Sequence, residues 1–106
     1  RRKGEIVDEN KIEFNGLYLN KNTCSMICGA NEVKLSLKEY YVMEMLISNP
    51  GQILPKERII EKIWGSDSDV EYNNIEVYIS FLRKKISSLS AAVHIHTARG
   101  VGYFLE

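Results

Sequence analysis

Cysteine and proline are scarce in this chain, which has two of each among its 106 residues. Two cysteines cannot build the disulfide framework that small secreted domains use in place of a large core. If Cys24 and Cys28 share one strand, their side chains lie on one face about 13 Å apart, which is too far for a bridge. We therefore expect reduced thiols and a cytoplasmic protein.

Long hydrophobic runs and an excess of charge are also missing. No apolar run approaches the roughly 20 residues that a membrane-spanning helix needs. Lys and Arg number 14 and Asp and Glu number 14, so the formal net charge is zero, which argues against a non-specific nucleic-acid binder. We interpret the polar residues 1–4 as a linker remnant of a longer protein. Residues 5–106 then suit one domain around a single core.

Motifs for catalysis and for metal or phosphate binding are missing as well. The sequence contains no Gly-x-Ser-x-Gly and no phosphate-binding glycine loop. His94 and His96 have the spacing of one strand face, but the sequence offers no evident third ligand for a metal. We therefore expect no cofactor, no metal site and no enzymatic activity.

The first third of the chain predicts an antiparallel sheet. Asn15-Gly16 is a strong signal for a tight hairpin turn, and further turn residues follow at regular intervals. A sheet of three or four such short strands needs a cover on one face. The β-prone segments are KIEF (11–14), GLYLN (16–20), CSMIC (24–28) and VKL (33–35).

The apolar spacing then changes from that of strands to that of helices. Ser36 and Glu39 have the spacing of a capping box, and Asn49-Pro50-Gly51 ends the helix that they begin. Pro55 suits the first turn of a second helix, which ends at Gly65.

A third helix is predicted from about Val70 to about Ser88, and a second capping box, Ser68 with Glu71, lies near its start. Two short strands, at 93–97 and 103–106, then form a hairpin around a turn with two glycines. The order of sheet, three helices and hairpin predicts the α+β class.

The third helix has two unlike faces. Ile75, Ile79, Leu82 and Ile86 recur at helical spacing and predict its buried stripe. The other face carries large apolar groups among amides, a hydroxyl and cations, which indicates a contact surface. The alternative is that Val77 and Phe81 pack on the first helix or the hairpin. That face holds Asn73, Val77, Ser80, Phe81 and Lys84, with Glu76, Arg83, Asn74, Tyr78 and Lys85 beside it.

The hairpin turn adds a second feature. Arg99 lies beside Gly100 and close to Gly102, and glycines let a backbone approach another surface closely. A third helix with this composition, followed by an arginine at a hairpin tip, is suited to gripping a DNA duplex. The helix would enter the major groove and the arginine an adjacent groove.

At this point the segments resemble a known family. LSLKEYYVMEMLISNPGQIL, ERIIEKIWG, IEVYISFLRKKI and HTARGVGYFLE are similar to the DNA-binding effector domain of OmpR/PhoB-type response regulators. The resemblance implies a winged helix-turn-helix with an N-terminal antiparallel four-stranded sheet, three helices and a C-terminal β-hairpin wing. It also implies transcription control in a two-component regulatory system, with an N-terminal receiver domain phosphorylated by a sensor histidine kinase.

The resemblance also assigns roles to residues. The helix at about 70–88 is expected to read the major groove of promoter direct repeats as a homodimer, and the wing at 97–103 to contact the minor groove or backbone. The expected DNA contacts are Asn73, Asn74, Val77, Tyr78, Ser80, Phe81, Arg83, Lys84, Thr97, Arg99 and Gly100. The expected RNA polymerase contact is the loop of Ser66, Asp67, Ser68 and Asp69.

The sequence departs from many relatives at three of these positions. Asn73, Ser80 and Phe81 stand where basic residues are frequent in the family. Each phosphate neutralised contributes about 0.9 to the salt slope, so we expect shallow salt dependence and weak binding. Asparagine pairs with adenine and apolar groups pack on thymine methyls, so we expect an A·T-rich site. The alternative function, supported by the zero net charge, is a protein-interaction module that uses the Val77 and Phe81 face.

Overall fold

An antiparallel sheet opens the fold. The computed structural model describes residues 11–65 and 72–106. Four strands follow one another in the order β1-β2-β3-β4, each antiparallel to its neighbour, as the sequence predicted. They are β1 (Lys11–Phe14), β2 (Leu17–Asn20), β3 (Ser25–Cys28) and β4 (Asn31–Lys34). β4 begins and ends slightly earlier than the predicted VKL segment.

Turn chemistry and alternation explain this sheet. Asn15 and Gly16 have φ of 51° and 84°, the left-handed pair that a tight two-residue hairpin needs. Along β2, Leu17 and Leu19 are buried and Tyr18 is exposed, so one face lies on the core and the other faces out. Cys24 lies in the turn before β3 rather than on the strand, and its thiol is free, as is that of Cys28.

Three helices follow the sheet along the chain, and the first of them packs against β1. They are α1 (Leu37–Ile47), α2 (Lys56–Trp64) and α3 (Tyr72–Ser88). The predicted capping box at the start of α1 is confirmed: the Glu39 amide donates to Ser36 Oγ at 3.2 Å, and the Ser36 amide donates to Glu39 Oε1 at 2.7 Å. The predicted linker at 1–4, and the start of the third helix at Val70 with its capping box, lie outside the described residues.

A second, three-stranded sheet carries the hairpin. β6 (Ile95–Ala98) and β7 (Gly102–Leu105) form the predicted hairpin, and β7 also pairs with β5 (Leu54–Pro55), giving the order β5-β7-β6. Strand β5 was not predicted from the sequence, and Pro55 was expected in the first turn of the second helix. Pro55 instead pairs with Gly102 and serves as the N-cap residue, with helix α2 beginning at Lys56. A two-residue strand is too short to leave a periodic signal.

One hydrophobic core joins these layers. Buried apolar side chains come from the first sheet, from all three helices and from the second sheet, so the predicted α+β arrangement is confirmed. The members that are entirely buried include Leu17, Leu19, Met26, Val42, Met43, Leu46, Ile59, Ile75, Leu82, Val93 and Leu105. Among the described residues, no helix has the length and apolar character needed to cross a membrane.

Candidate nucleic-acid interface

Helix α3 is held in place by the stripe that its spacing predicted. Ile75 and Leu82 are fully buried, and Ile79 and Ile86 are at most 4% exposed. These residues recur at intervals of three and four, so they lie on one side of the helix. The opposite side therefore faces away from the core.

The outward side presents two large apolar groups. Val77 is 47% exposed and Phe81 is 45% exposed, and the two lie one turn apart. Ser80 and Lys84 beside them are also exposed. Val77 and Phe81 thus leave nearly half of their surface open to solvent, so the interpretation that they pack into the fold is wrong. We call Val77, Ser80, Phe81 and Lys84 the outer face of α3.

Tyr78 lies at the margin of this outer face and is half-buried. Its ring is 5.5 Å from the ring of Trp64, which ends α2, and the two planes are tilted by 57°. Lys38 Nζ lies 5.2 Å from the centre of the same Trp64 ring. Tyr78 therefore helps to hold α2 against α3, and only its remaining surface is available for a ligand.

Arg83 joins α3 to the hairpin. Its Nε and Nη2 atoms donate to the Ile95 carbonyl at 3.0 and 2.8 Å, and Nη2 also donates to Thr97 Oγ1 at 2.9 Å. The predicted site residues Arg83 and Thr97 thus meet each other at the surface. Their polar atoms are at least partly occupied within the protein.

Lys85 points the other way, towards α1. Its ammonium group lies 2.7 Å from Glu39 Oε1 and donates to the Lys34 carbonyl at 3.0 Å. Glu39 is 4% exposed and the Lys85 side chain is 29% exposed, so the carboxylate is buried and its cation is partly open to water. The three consecutive cations therefore diverge: Arg83 bonds to the hairpin, Lys84 faces solvent and Lys85 bonds to α1 and β4.

The tip of the hairpin is a tight turn that joins β6 to β7. The Val101 amide donates to the Ala98 carbonyl at 2.9 Å, and Gly100 has a φ of 77°, which favours glycine. Arg99 and Gly100 are exposed. Ala98 to Val101 thus present an arginine at the end of the hairpin, as predicted.

Gly102 has a different role from the one predicted. It is buried, and a Cβ atom there would lie 1.9 Å from the Leu54 carbonyl oxygen and 2.8 Å from Pro55 Cα. The expectation that both glycines let the backbone approach an outside surface is wrong for Gly102. Its lack of a side chain lets β5 and β7 approach each other.

An acidic group beside the outer face is paired. Glu76 Oε2 lies 3.0 Å from Lys56 Nζ across the α2 and α3 helices, and this hydrogen bond raises the pKa of Lys56. The ammonium group offsets a carboxylate that would repel a DNA phosphate. Lys56 could not be predicted as part of this surface, because it lies 20 positions from its partner and no local pattern links them.

Two asparagines of the predicted site lie at the start of α3. Asn73 and Asn74 lie in α3, while their side chains, and the loop of Ser66, Asp67, Ser68 and Asp69, lie outside the described part of the chain. His96 lies in β6, and His94 comes directly before that strand. Their ring centres are 6.2 Å apart and His96 stacks on Phe104 at 5.0 Å, and within 11–65 and 72–106 no three metal-ligating side chains come together.

Comparison with known proteins identifies a family. The family described as "Transcriptional regulatory protein, C terminal" matches residues 30–105. The transcriptional regulatory protein DltR of Streptococcus agalactiae serotype III (strain NEM316) is 40% identical over 105 residues, covering 99% of this chain and 47% of DltR. The chain therefore spans about half the length of the curated relatives that it matches.

Solved structures agree with the sequence comparison. The C-terminal domain of the nisin resistance regulator NsrR, a lantibiotic response regulator, is 35% identical with a TM-score of 0.75, over 88% of this chain and 94% of that one. The Klebsiella pneumoniae RstA DNA-binding domain, solved in complex with the RstA box, is 26% identical with a TM-score of 0.75, over 91% and 96%.

Proposed function

Because the chain belongs to the OmpR/PhoB-type family of C-terminal transcriptional regulatory domains, we propose that it binds double-stranded DNA sequence-specifically and so controls transcription. The observation that carries this proposal is the outer face of α3. Two large apolar side chains remain exposed there beside a hydroxyl and a cation, on a helix that the core holds firmly. A rigid helix with such a face suits the major groove of a duplex.

The chemistry of the outer face favours thymine. Val77 and Phe81 offer apolar surface to C5 methyl groups, and Ser80 bonds to either kind of base edge. Asn73 and Asn74 lie in the first turn of the same helix, where an asparagine amide can pair with adenine. We therefore propose an A·T-rich site at the positions that α3 contacts.

The wing supplies the second contact. Arg99 stands at its tip beside Gly100, whose small size lets the backbone come close to DNA. A·T-rich sequence has a narrow minor groove with an enhanced negative potential, which attracts an inserted arginine. The two preferences therefore agree with each other.

Not every residue expected from the sequence is retained in this contact set. Arg83 and Thr97 bond to each other, so we propose no direct DNA contact for them. Tyr78 is retained only through the part of its surface that Trp64 leaves open. The proposed contacts are Asn73, Asn74, Val77, Tyr78, Ser80, Phe81, Lys84, Arg99 and Gly100.

Selection from a random-sequence duplex library tests the proposal. We expect an enriched site that is rich in A·T where α3 binds; a G·C-rich consensus at those positions would contradict the assignment. Phe81→Ala should then weaken binding about fivefold to tenfold and relax the preference for thymine at one position. Tyr18→Ala is the matched control, because Tyr18 is an equally exposed aromatic on the separate four-stranded sheet, and it should leave binding unchanged.

Salt dependence provides an independent measurement. Lys84 and Arg99 are the cations of the proposed contact set, and each neutralised phosphate adds about 0.9 to the slope of log K against log salt. We expect a slope of about −2 per bound chain. A slope several times steeper would show that phosphate contacts outside the proposed set dominate binding.

For the longer protein, we propose the role of a response regulator. Its relatives are about twice as long, and a receiver domain phosphorylated by a sensor histidine kinase would regulate the described domain. We also propose that the longer protein binds direct repeats as a homodimer and that residues 66–69 contact RNA polymerase. We propose a cytoplasmic location for it. Phosphorylation of the full-length protein by a purified kinase, followed by DNA binding, tests it. The protein-interaction alternative is not favoured, because the relatives are transcriptional regulators.

A further inference from the structure

We propose that Arg83 is a positioning residue that fixes the wing against α3, and that its effect on DNA affinity passes through Arg99. The proposal rests on the proposed function, since wing position matters only if the wing touches DNA. It assigns to Arg83 a role different from the neutralisation of a phosphate.

β6 is an edge strand, so the backbone groups on its outer side have no neighbouring strand to bond to. In the described three-stranded sheet β7 is central, and β6 lies at one side of it. His94 and Glu106 exchange both of their backbone hydrogen bonds, at 3.0 and 2.9 Å. Because such pairs alternate along an antiparallel ladder, Ile95 and Thr97 direct their backbone groups away from β7. The Ile95 carbonyl would therefore be left open at the edge.

The Arg83 guanidinium fills this gap. Two of its nitrogens converge on the Ile95 carbonyl oxygen, and one of them also reaches the Thr97 hydroxyl. A planar group with donors in a fixed arrangement can make these bonds together at a small cost in side-chain entropy. Hydrogen bonds from a charged donor are about twice as strong as neutral ones. Arg83 thus ties the edge of the wing to the helix.

The tie lies close to the tip of the wing. Thr97 precedes Arg99 by two residues on the same strand and turn, and Arg83 follows Phe81 by two residues on α3. The bonds of Arg83 therefore fix the position of Arg99 relative to the outer face of α3. Without these bonds the wing would move freely in the unbound protein and would become fixed only on binding DNA. The entropy lost in that step would weaken the contact that Arg99 makes.

A phosphate contact is the competing role for Arg83. The Nη1 atom takes no part in the three bonds, and its two protons could reach a DNA backbone. The two roles differ in what they require. A phosphate contact needs only a cation at position 83, whereas the tie needs the guanidinium shape and depends on Arg99 for its effect.

A double-mutant cycle separates these roles. The affinity of the chain for a duplex enriched by selection is measured for Arg83→Met, Arg99→Ala and the double variant. We expect Arg99→Ala to weaken binding about tenfold and Arg83→Met about fivefold. In the Arg99→Ala background, Arg83→Met should weaken binding less than about twofold. Equal effects of Arg83→Met in both backgrounds would overturn the proposal.

Two further variants distinguish the loss of the Arg83 bonds from a general loss of structure. Arg83→Lys keeps the charge but not the fork, so it should bind almost as weakly as Arg83→Met; full affinity in Arg83→Lys would assign a phosphate contact instead. Thr97→Val removes only the hydroxyl acceptor and should weaken binding about twofold in the parent and not in Arg99→Ala. If Arg83→Met fails to fold, the lysine and valine variants decide by the same criteria.

Lys84→Met is the matched control for the cycle. Lys84 is the neighbouring exposed cation and is proposed to touch a phosphate, so its loss should reduce the salt slope by about 0.9 in both backgrounds. A failure of the unmodified chain to bind any duplex would contradict the proposed function itself. Binding by the unmodified chain with additive effects at positions 83 and 99 would contradict the positioning role alone.

Discussion

Removal of the Lys85 ammonium group should destabilise the whole domain. Lys85 Nζ lies 2.7 Å from Glu39 Oε1, whose side chain is 5% exposed, and the same nitrogen donates to the Lys34 carbonyl. The substitution Lys85→Met keeps most of the aliphatic stem and removes the charge. Glu39 would then keep its bond from the Ser36 amide but would have lost its cation while buried.

The size of the effect follows from burial. Breaking a buried ion pair by removing one partner costs about 3–5 kcal/mol, because an uncompensated charge remains. The Lys85 side chain is 29% exposed, so water can replace part of its interaction with the carboxylate. We therefore expect a loss of about 2–3 kcal/mol. At about 4–8 °C per kcal/mol for a domain of this size, the unfolding midpoint should fall by roughly 10–20 °C.

Urea unfolding followed by far-ultraviolet circular dichroism measures this loss. Lys84→Met is the control, because Lys84 is exposed and its removal should change the free energy of unfolding by less than about 0.5 kcal/mol. Adding Glu39→Gln to Lys85→Met removes the stranded charge and should restore about 1 kcal/mol. Free energies of unfolding for Lys85→Met and Lys84→Met within about 0.5 kcal/mol of each other would contradict a stabilising role for the ion pair.

Three further predictions concern stability. Gly102→Ala should lower the free energy of unfolding by about 3 kcal/mol or more in denaturant unfolding, because its Cβ would collide with the Leu54 carbonyl. Gly100→Ala should lower it by only about 1 kcal/mol, because the space there is open and the positive φ is the only source of strain. Burial, with the Glu44 carboxylate nearby, raises the pKa of Tyr40 to about 12, so the folded state favours the neutral phenol. The free energy of unfolding should therefore be unaffected by Tyr40 below about pH 10 and should fall by on the order of 2 kcal/mol as the pH rises towards 12. Unfolding measured over this pH range tests the prediction, and Tyr40→Phe should remove this part of the pH dependence. Ser36→Ala removes the hydroxyl that caps α1 and should cost about 1 kcal/mol in the same unfolding assay, and no change would contradict the capping role.

Local features of the fold were predictable from the sequence. The Asn15-Gly16 turn and the capping box of Ser36 and Glu39 involve residues within three positions of each other, so their chemistry is complete in the sequence. The buried stripe of α3 was predictable for a related reason, since helical spacing alone places Ile75 and Ile79 on one side. Exposure of Phe81 needed the structure, because two destinations for its ring fitted the same spacing.

Contacts between distant segments were not predictable. Lys85 and Glu39 are 46 positions apart, and in the sequence a lysine in a cluster of three cations gives no sign that it turns inwards. Arg83 and Thr97 were both expected at the DNA, yet only the packing of β6 against α3 shows that they bond to each other. Strand β5 has two residues, and its pairing with β7 depends on Gly102 lacking a side chain. The choice among possible partners for each side chain is made by tertiary structure.

The central position of β7 bears on how the protein is made. Strands β5 and β6 meet only through β7, and the Gly51 amide also donates to the Leu105 carbonyl. On the ribosome the chain emerges from its amino end, so α1, β5, α2 and α3 are all synthesised before β7 is available. Until then Leu54 and the inner side of β6 have no partner strand. The nascent chain should therefore remain sensitive to proteases until residues 102–105 leave the exit tunnel, after which closure of β7 between its two neighbours should make the domain resistant in one step.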